Sequence, residues 1–300
     1  MNGRSSNRKP RDAHAVTPPA KGRLRALARK PAAWVGAIVL GALAVQLTDA
    51  SSGVIESWLP VADLVDKLSS GGPVRAVALE GAPGPSWWVL PRSGVDPAEI
   101  TFKGLGDYST LNRLGAADVS RTFSSLILTG NRHRPVSVEN ILISVKRCAA
   151  PLDGDLMEHG YQGGAEEKIY LSADLDARNP VLVDNSGKPY FTGPKARRLV
   201  LAKDASQSLL LNVTTTRRYC EWTIIVEYFA DGEPHRLEVM NRGGRPFRTS
   251  AVLPKGRAYT GTVLVTDPSL SAYMKTPLKR YCADPLAATS EICSRRPQLK

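Results

Sequence analysis

A cysteine stands beside a glutamate at Cys220-Glu221, near the start of RRYCEWTIIVEYFADGE (217–233), the most strongly β-forming run of the chain. A thiolate next to a base is the chemistry of a cysteine nucleophile. A thiol on the inner side of a strand is half of a disulfide. Alternation separates the two readings, because successive side chains of a strand point to opposite faces. Cys220 shares its face with Trp222, Ile224, Val226 and Tyr228, whereas Glu221, Thr223 and Glu227 take the other. Apolar surroundings raise a thiol pKa and make it inert, so the pattern predicts a staple and no nucleophile.

The chain has four cysteines, Cys148, Cys220, Cys282 and Cys293, an even number that admits three pairings. Cys282 and Cys293 stand in a polar, proline-containing tail, where they would close a small loop. Cys148 is then left for Cys220, joining two strands across more than seventy residues. Cys148 falls out of step with Ile141, Ile143 and Val145, so a bulge or strand end is expected near Lys146-Arg147.

Other chemistry is sparse. His14, His133, His159 and His235 are far apart, and none stands at ligand spacing from a carboxylate. Asp174-Leu175-Asp176 lacks the glycine and terminal glutamate of a calcium loop and reads as a solvated strand end. Glu166-Glu167 are adjacent turn residues, which do not set up an acid/base pair. No G-x-S-x-G, H-E-x-x-H or phosphate-binding glycine loop occurs, so no catalytic residue, metal or cofactor is expected. In PSWWVLP, Trp87 and Trp88 must turn to opposite faces of one strand. One is expected in a core. The other either lies against the rest of the fold or is open to stack on a sugar or anchor a protein partner.

The elements that would hold these residues are short strands. PVRAVALE and SWWVLP flank the turn Gly81–Pro85, and DPAEITFKG is expected as a further strand. A short helix is expected between Asp107 and Val119, with Ser109 as its cap. TFSSLILTG, PVSVENILISVKR, KIYLSADL, SLLLNVTT, YCEWTIIVEYF and HRLEV follow. Asp231-Gly232 stands between the last two as a two-residue hairpin turn. KIYLSADL puts Ile169, Leu171, Ala173 and Leu175 on one face. One-sided alternation at this spacing predicts a mainly β fold, an antiparallel sandwich of the immunoglobulin-like kind. Trp222 lies two residues from Cys220 on the same strand, unlike antibody domains, where the tryptophan comes from another strand.

Ahead of the strands lies a different kind of sequence. Residues 1–30 carry nine Lys/Arg against one acid, Asp12, so the 270 residues after them hold only +4 of the chain's +12. The excess therefore belongs to a disordered basic arm, which argues against a nucleic-acid partner. PAAWVGAIVLGALAVQLT, 31–48, is free of charge and long enough for a transmembrane helix of about 27 Å. The basic arm places the N-terminus in the cytoplasm and everything after the span outside it. Small-x-small at Ala42-Leu43-Ala44 also fits a cleavage site, but cleavage there would leave a short apolar region behind an unusually long arm. Ala33, Ala37 and Gly41 share one helix face, a pattern that can pair spans into a homodimer.

Residues 49–72 read as an amphipathic stalk, with Trp58, Val61, Ala62, Leu64, Val65 and Leu68 at helical spacing, which would lie on the membrane surface or pack on the domain that follows as its stalk or capping helix. The expected organisation continues with a small β-rich region (73–118), the sandwich (119–253) and a C-terminal extension with a disulfide loop (254–300). The tail from Lys255 carries eight Lys/Arg against three acids and could touch anionic wall polymer or lipid headgroups.

LILTGNRHRPVSVENILI, KRCAAPLDG, KPYF, RRYCEWTIIV and GGRPFRTS, within about residues 120–250, carry a resemblance. They make the chain similar to uncharacterised actinobacterial single-pass membrane proteins with an exported immunoglobulin-like domain. The resemblance implies architecture and no activity. Together these readings predict a membrane-anchored extracytoplasmic protein, a non-catalytic binding or structural module acting on protein or envelope polymer. A cell-envelope hydrolase without a recognisable motif, or a subunit of a larger membrane assembly, is the competing class.

Overall fold

The computed structural model describes residues 71–80, 86–100, 109–159, 169–241, 243–254, 257–266, 273–284 and 291–294. All belong to the second of two compact units, Met1–Val61 and Ala62–Lys300. The basic arm, the apolar span with Ala33, Ala37 and Gly41, and the stalk up to Ser70 lie outside the described residues. Among the described residues no helix is long and apolar enough to cross a membrane.

The described chain is mainly β. Its strands are β1 (Val74–Glu80), β2 (Ser86–Val89), β3 (Ala117–Val119), β4 (Arg121–Gly130), β5 (Val136–Ala149), β6 (Leu156–His159) and β7 (Ile169–Asp174). They continue with β8 (Leu199–Leu201), β9 (Ser206–Thr214), β10 (Tyr219–Ala230), β11 (Glu233–Val239), β12 (Phe247–Ser250), β13 (Val263–Thr266) and β14 (Tyr273–Thr276). Short helices α1 (Ser109–Leu114), α2 (Leu278–Tyr281) and α3 (Glu291–Ser294) complete it.

Two sheets result. The small one runs β1-β4-β9-β7, and the large one runs β14-β13-β6-β2-β3-β12-β10-β5-β8 with β11 added beside β10. The expected purely antiparallel pairing is not what forms: β7–β9, β3–β12 and β6–β13 are parallel. Parallel neighbours need a long excursion between strands, which residue types within a strand do not reveal. The segment 73–118 gives β1 to the small sheet and β2 and β3 to the large one, while the extension after 253 adds β13 and β14.

The main core lies between the sheets. Leu126 and Leu128 of β4, Leu209, Leu211 and Val213 of β9, and Leu171 and Ala173 of β7 face Ile141 and Ile143 of β5 and Trp222, Ile224 and Val226 of β10. The β7 alternation is as expected, with Leu171, Ala173 and Leu175 buried and Ile169 packed against the same core. The other end of the large sheet is covered on both faces. Val89, Leu156 and Val263 pack beneath Leu278 and Ile292 of the C-terminal helices. Their strand neighbours Leu90, Met157 and Leu264 pack on the opposite side against Val95, Ile100 and Leu111. One-sided alternation fails there because there is no solvent side.

Local chemistry explains the joins. Val145 and Arg147 of β5 pair with Trp222 and Glu221, which leaves Lys146 as the extra residue of a bulge, where the sequence placed it. A second irregularity leaves out Glu139. Asp231 and Gly232 both have positive φ (54° and 82°) and close the β10–β11 hairpin with Ala230 opposite Glu233. The strand expected at 96–104 does not form at its start. Asp96 accepts a hydrogen bond from the amide of Ala98 at 2.9 Å and caps a 3-10 turn, Pro97–Glu99. The short helix expected between Asp107 and Val119 forms as α1; Gly115, at φ 79°, ends it, and Ala117 already belongs to β3. Fully buried Asp155 ties three loops, accepting from the amides of Val95 (2.8 Å) and Thr262 (2.7 Å) while its own amide binds the carbonyl of Arg92 (3.2 Å).

Candidate functional site

Cys148 and Cys220 stand directly opposite each other on β5 and β10 and are bonded, as are Cys282 and Cys293; no cysteine is left free. The bulge at Lys146 restores the phase that lets Cys148 meet its partner. Cys220 is fully buried, and two residues on Trp222 stacks on Phe247 with ring centroids 4.5 Å apart. The Trp222 indole donates to Thr249 Oγ1 (2.9 Å), which lies 2.7 Å from the hydroxyl of Thr122, and Thr122 donates to Asp118 (2.6 Å). This buried polar chain links the two sheets and satisfies the indole N–H.

Glu221 points the other way, as parity requires. Arg147 donates to both its oxygens (2.8 and 2.9 Å), the Tyr219 hydroxyl donates at 2.7 Å, and Arg248 Nε at 3.3 Å. The Arg147 hydrogen bonds, against the opposing effect of burial and helped by Tyr219, hold the carboxyl down at about 2. Burial, and then the bond to Glu221, push Tyr219 up to about 12. A carboxylate held this way stays ionised and saturated with donors, the reverse of what a general base requires.

Asp176 is not the solvated strand end its sequence suggests. Its side chain is 4% exposed and accepts from the Thr216 amide (2.7 Å), the Thr216 hydroxyl (2.9 Å) and the Thr215 hydroxyl (3.1 Å), with Arg218 Nε at 3.4 Å. Burial opposes its ionisation, but the Thr216 and Thr215 hydrogen bonds and the charge of Arg217 outweigh it and lower the pKa. The oxygens are taken by N–H and O–H donors that fasten the β9–β10 turn to the end of β7. Among the described residues no group of three acids, histidines or cysteines is placed to hold a metal.

Trp87 and Trp88 part to opposite faces of β2. Trp88 is buried with Leu90, Met157 and Leu264. Trp87 is half-buried at the rim of the other cluster, edge-on to Tyr281 at 5.2 Å, and the Tyr281 hydroxyl donates to Glu158 at 2.7 Å. Burial and then that bond raise the Tyr281 pKa. The C-terminal helix next to the Cys282–Cys293 loop thus lies against this tryptophan.

A surface that the sequence did not single out is the outer face of the small sheet. Alternation puts Val77 and Leu79 of β1, Phe123 and Ile127 of β4, Leu210 of β9 and Tyr170 of β7 on that face. Val77 lies opposite Ile127, Ser125 stands between Leu79 and Leu210, Leu210 is opposite Tyr170, and the Phe123 and Tyr170 rings meet edge-on at 6.5 Å. Between them sit Ser125, Ser208 and Asn212, and charge enters only near the margins, at Arg75, Arg121 and Asp174. Ser208 Oγ and Asn212 Oδ1 are shut off from solvent and have no hydrogen-bond partner among the described residues. The signal was present in the strands, whose polar positions hold apolar residues or Ser and Asn where a solvated face would hold Lys or Glu.

No family model matches the chain, and comparison with curated proteins and with solved structures returns no match.

Proposed function

We propose that the protein is a membrane-anchored, extracytoplasmic module whose β-sandwich, immunoglobulin-like in kind, binds or supports a partner at the cell surface without catalysing a reaction. The observation that carries this reading is the state of the cysteines: all four are joined, one pair across adjacent core strands. Disulfides persist in oxidising compartments, and the basic arm before residues 31–48 orients the following chain toward one. The carboxylates with shifted or buried environments fit the same reading. Glu221, Asp176 and Asp155 each use their oxygens to hold strands or loops together. Protease treatment of intact cells tests it: residues beyond about 50 should be removed. Full protection of the β domain, or free thiols at Cys148 and Cys220 in protein trapped directly from cells, would refute the reading.

A further inference from the structure

At one end of the sandwich a buried charge has no counter-charge. Arg132, in the turn between β4 and β5, is only 9% exposed. Its Nη2 donates to the Gly71 carbonyl (2.9 Å) and its Nη1 to the Asn131 carbonyl (3.3 Å), while Nε is shut off from solvent with no partner among the described residues. Two of the five guanidinium N–H donors are used, which leaves three. Among the described residues no carboxylate pairs with it, and the acids at this end, Asp204, Asp231 and Glu233, are exposed. Carbonyl dipoles solvate a guanidinium in part but do not balance its charge, and an unbalanced buried charge is costly.

Tyr228 stands at the same end. It lies opposite Val138, near the start of β5, and faces the core at 6% exposure. Its hydroxyl makes no hydrogen bond among the described residues and, unlike Arg132 Nε, is not closed off from solvent. Burial raises its pKa and the charge of Arg132 opposes that rise, so the guanidinium and the hydroxyl act within reach of each other. The His235 ring stacks on the tyrosine at 5.3 Å and backs it. We propose that Arg132 and Tyr228 form a binding site for a carboxylate at this end of the sandwich. The guanidinium supplies the charge and donors in one plane, and the phenol O–H supplies a further hydrogen bond. One buried cation calls for one negative charge, which a carboxylate carries and a phosphate dianion exceeds. Two side chains more than nine-tenths buried leave a narrow opening, which suits a flat group. The carboxylate belongs either to a small acid or to an acidic side chain of a protein partner. Both residues lie within the described part of the chain, and the site does not depend on the topology proposed above.

Nitrogen NMR of the full chain in detergent reads the site directly. The shielded Arg132 Nε–H exchanges slowly with water and gives its own signal, assigned by its loss in Arg132→Lys. Acetate should shift that signal saturably, and chloride at equal ionic strength should not. Its four heavy atoms limit acetate to roughly tens of micromolar at best, so the titration runs to about 50 mM. Tyr228→Phe keeps the guanidinium and removes only the phenol O–H. It should weaken acetate about tenfold and leave the urea midpoint unchanged. A peptide with blocked ends and one glutamate separates the sources: tighter binding than acetate assigns the site to a protein partner, and binding no tighter assigns it to a small acid. No saturable shift, the same shift with chloride, tighter binding of phosphate than of acetate, or an unaltered affinity in Tyr228→Phe would overturn the proposal.

Discussion

The two outer faces of the sandwich obey the same alternation and differ in kind. Outside the large sheet, charged groups neutralise one another in place. Glu221 is held by Arg147 and Arg248, Lys146 pairs with Glu238 at 2.7 Å, Thr223 donates to the same glutamate, and Asn140 donates to Glu227. Outside the small sheet, positions of the same parity carry Val77, Leu79, Phe123, Ile127, Leu210 and Tyr170. The first face is finished as it stands. The second would expose a contiguous apolar patch, which a soluble surface rarely leaves bare. The contrast separates a surface built for water from one built for contact, although every strand concerned supplies the same central core.

Both faces depend on that core, so the largest effect should come from cutting the staple between β5 and β10. Cys148→Ala/Cys220→Ala releases a loop of 72 residues and should cost roughly 4 kcal/mol by loop entropy, measured as the shift in urea midpoint of the full chain. A loss below about 1 kcal/mol would show that the strand pairing holds without it.

The next test separates the faces directly. Ile127→Lys places a charge at the centre of the apolar face and should cost about 1–3 kcal/mol, as for a charge forced against a packed surface. Phe229→Lys, on the charged side where Phe229 is 47% exposed, should stay within about 0.5 kcal/mol. Equal costs would erase the distinction between the faces.

A pH measurement addresses the charged face alone. The carboxyl of Glu221, at about 2, lies below its ordinary value of 4.5. Its contribution is therefore complete above pH 4.5 and is lost as pH falls toward 2. Glu221→Gln should be less stable than the parent at neutral pH, and the gap should close on acidification, followed by denaturant titration at each pH. A constant gap would mean that shape, and not charge, joins Glu221 to Arg147.

The smallest expected effect concerns the rim between sandwich and extension. Tyr281→Phe removes the bond to Glu158 but keeps the edge contact with Trp87, and should cost about 1 kcal/mol. Trp87 fluorescence should stay nearly unchanged; a large red shift would mean that the hydroxyl, more than the ring, holds the C-terminal helix.

How much was legible depended on whether one strand or several decided the matter. The inward side of β10, the hairpin at Asp231-Gly232 and the bulge at Lys146 follow from two-residue periodicity and turn chemistry, and the pairing of Cys148 with Cys220 from what remained once Cys282 and Cys293 were given to one small loop. Those are properties of one segment or of one pair. Asp176 was misread because its partners Thr215, Thr216 and Arg218 lie some forty residues away, and nothing beside it in sequence announces them. The turn at Pro97–Glu99 was missed because a capping aspartate outweighed a brief alternating pattern.

By itself, then, the sequence determined the strand faces, the staples and the β character, since alternation and turn preference act between near neighbours. Tertiary structure decided which strands run parallel, that β2, β6 and β13 are covered on both sides, that Trp87 lies against Tyr281, and that six apolar residues from four strands form one face. Each of these depends on segments far apart in the chain being brought to a common surface, and burial there is a property of the assembled sheet.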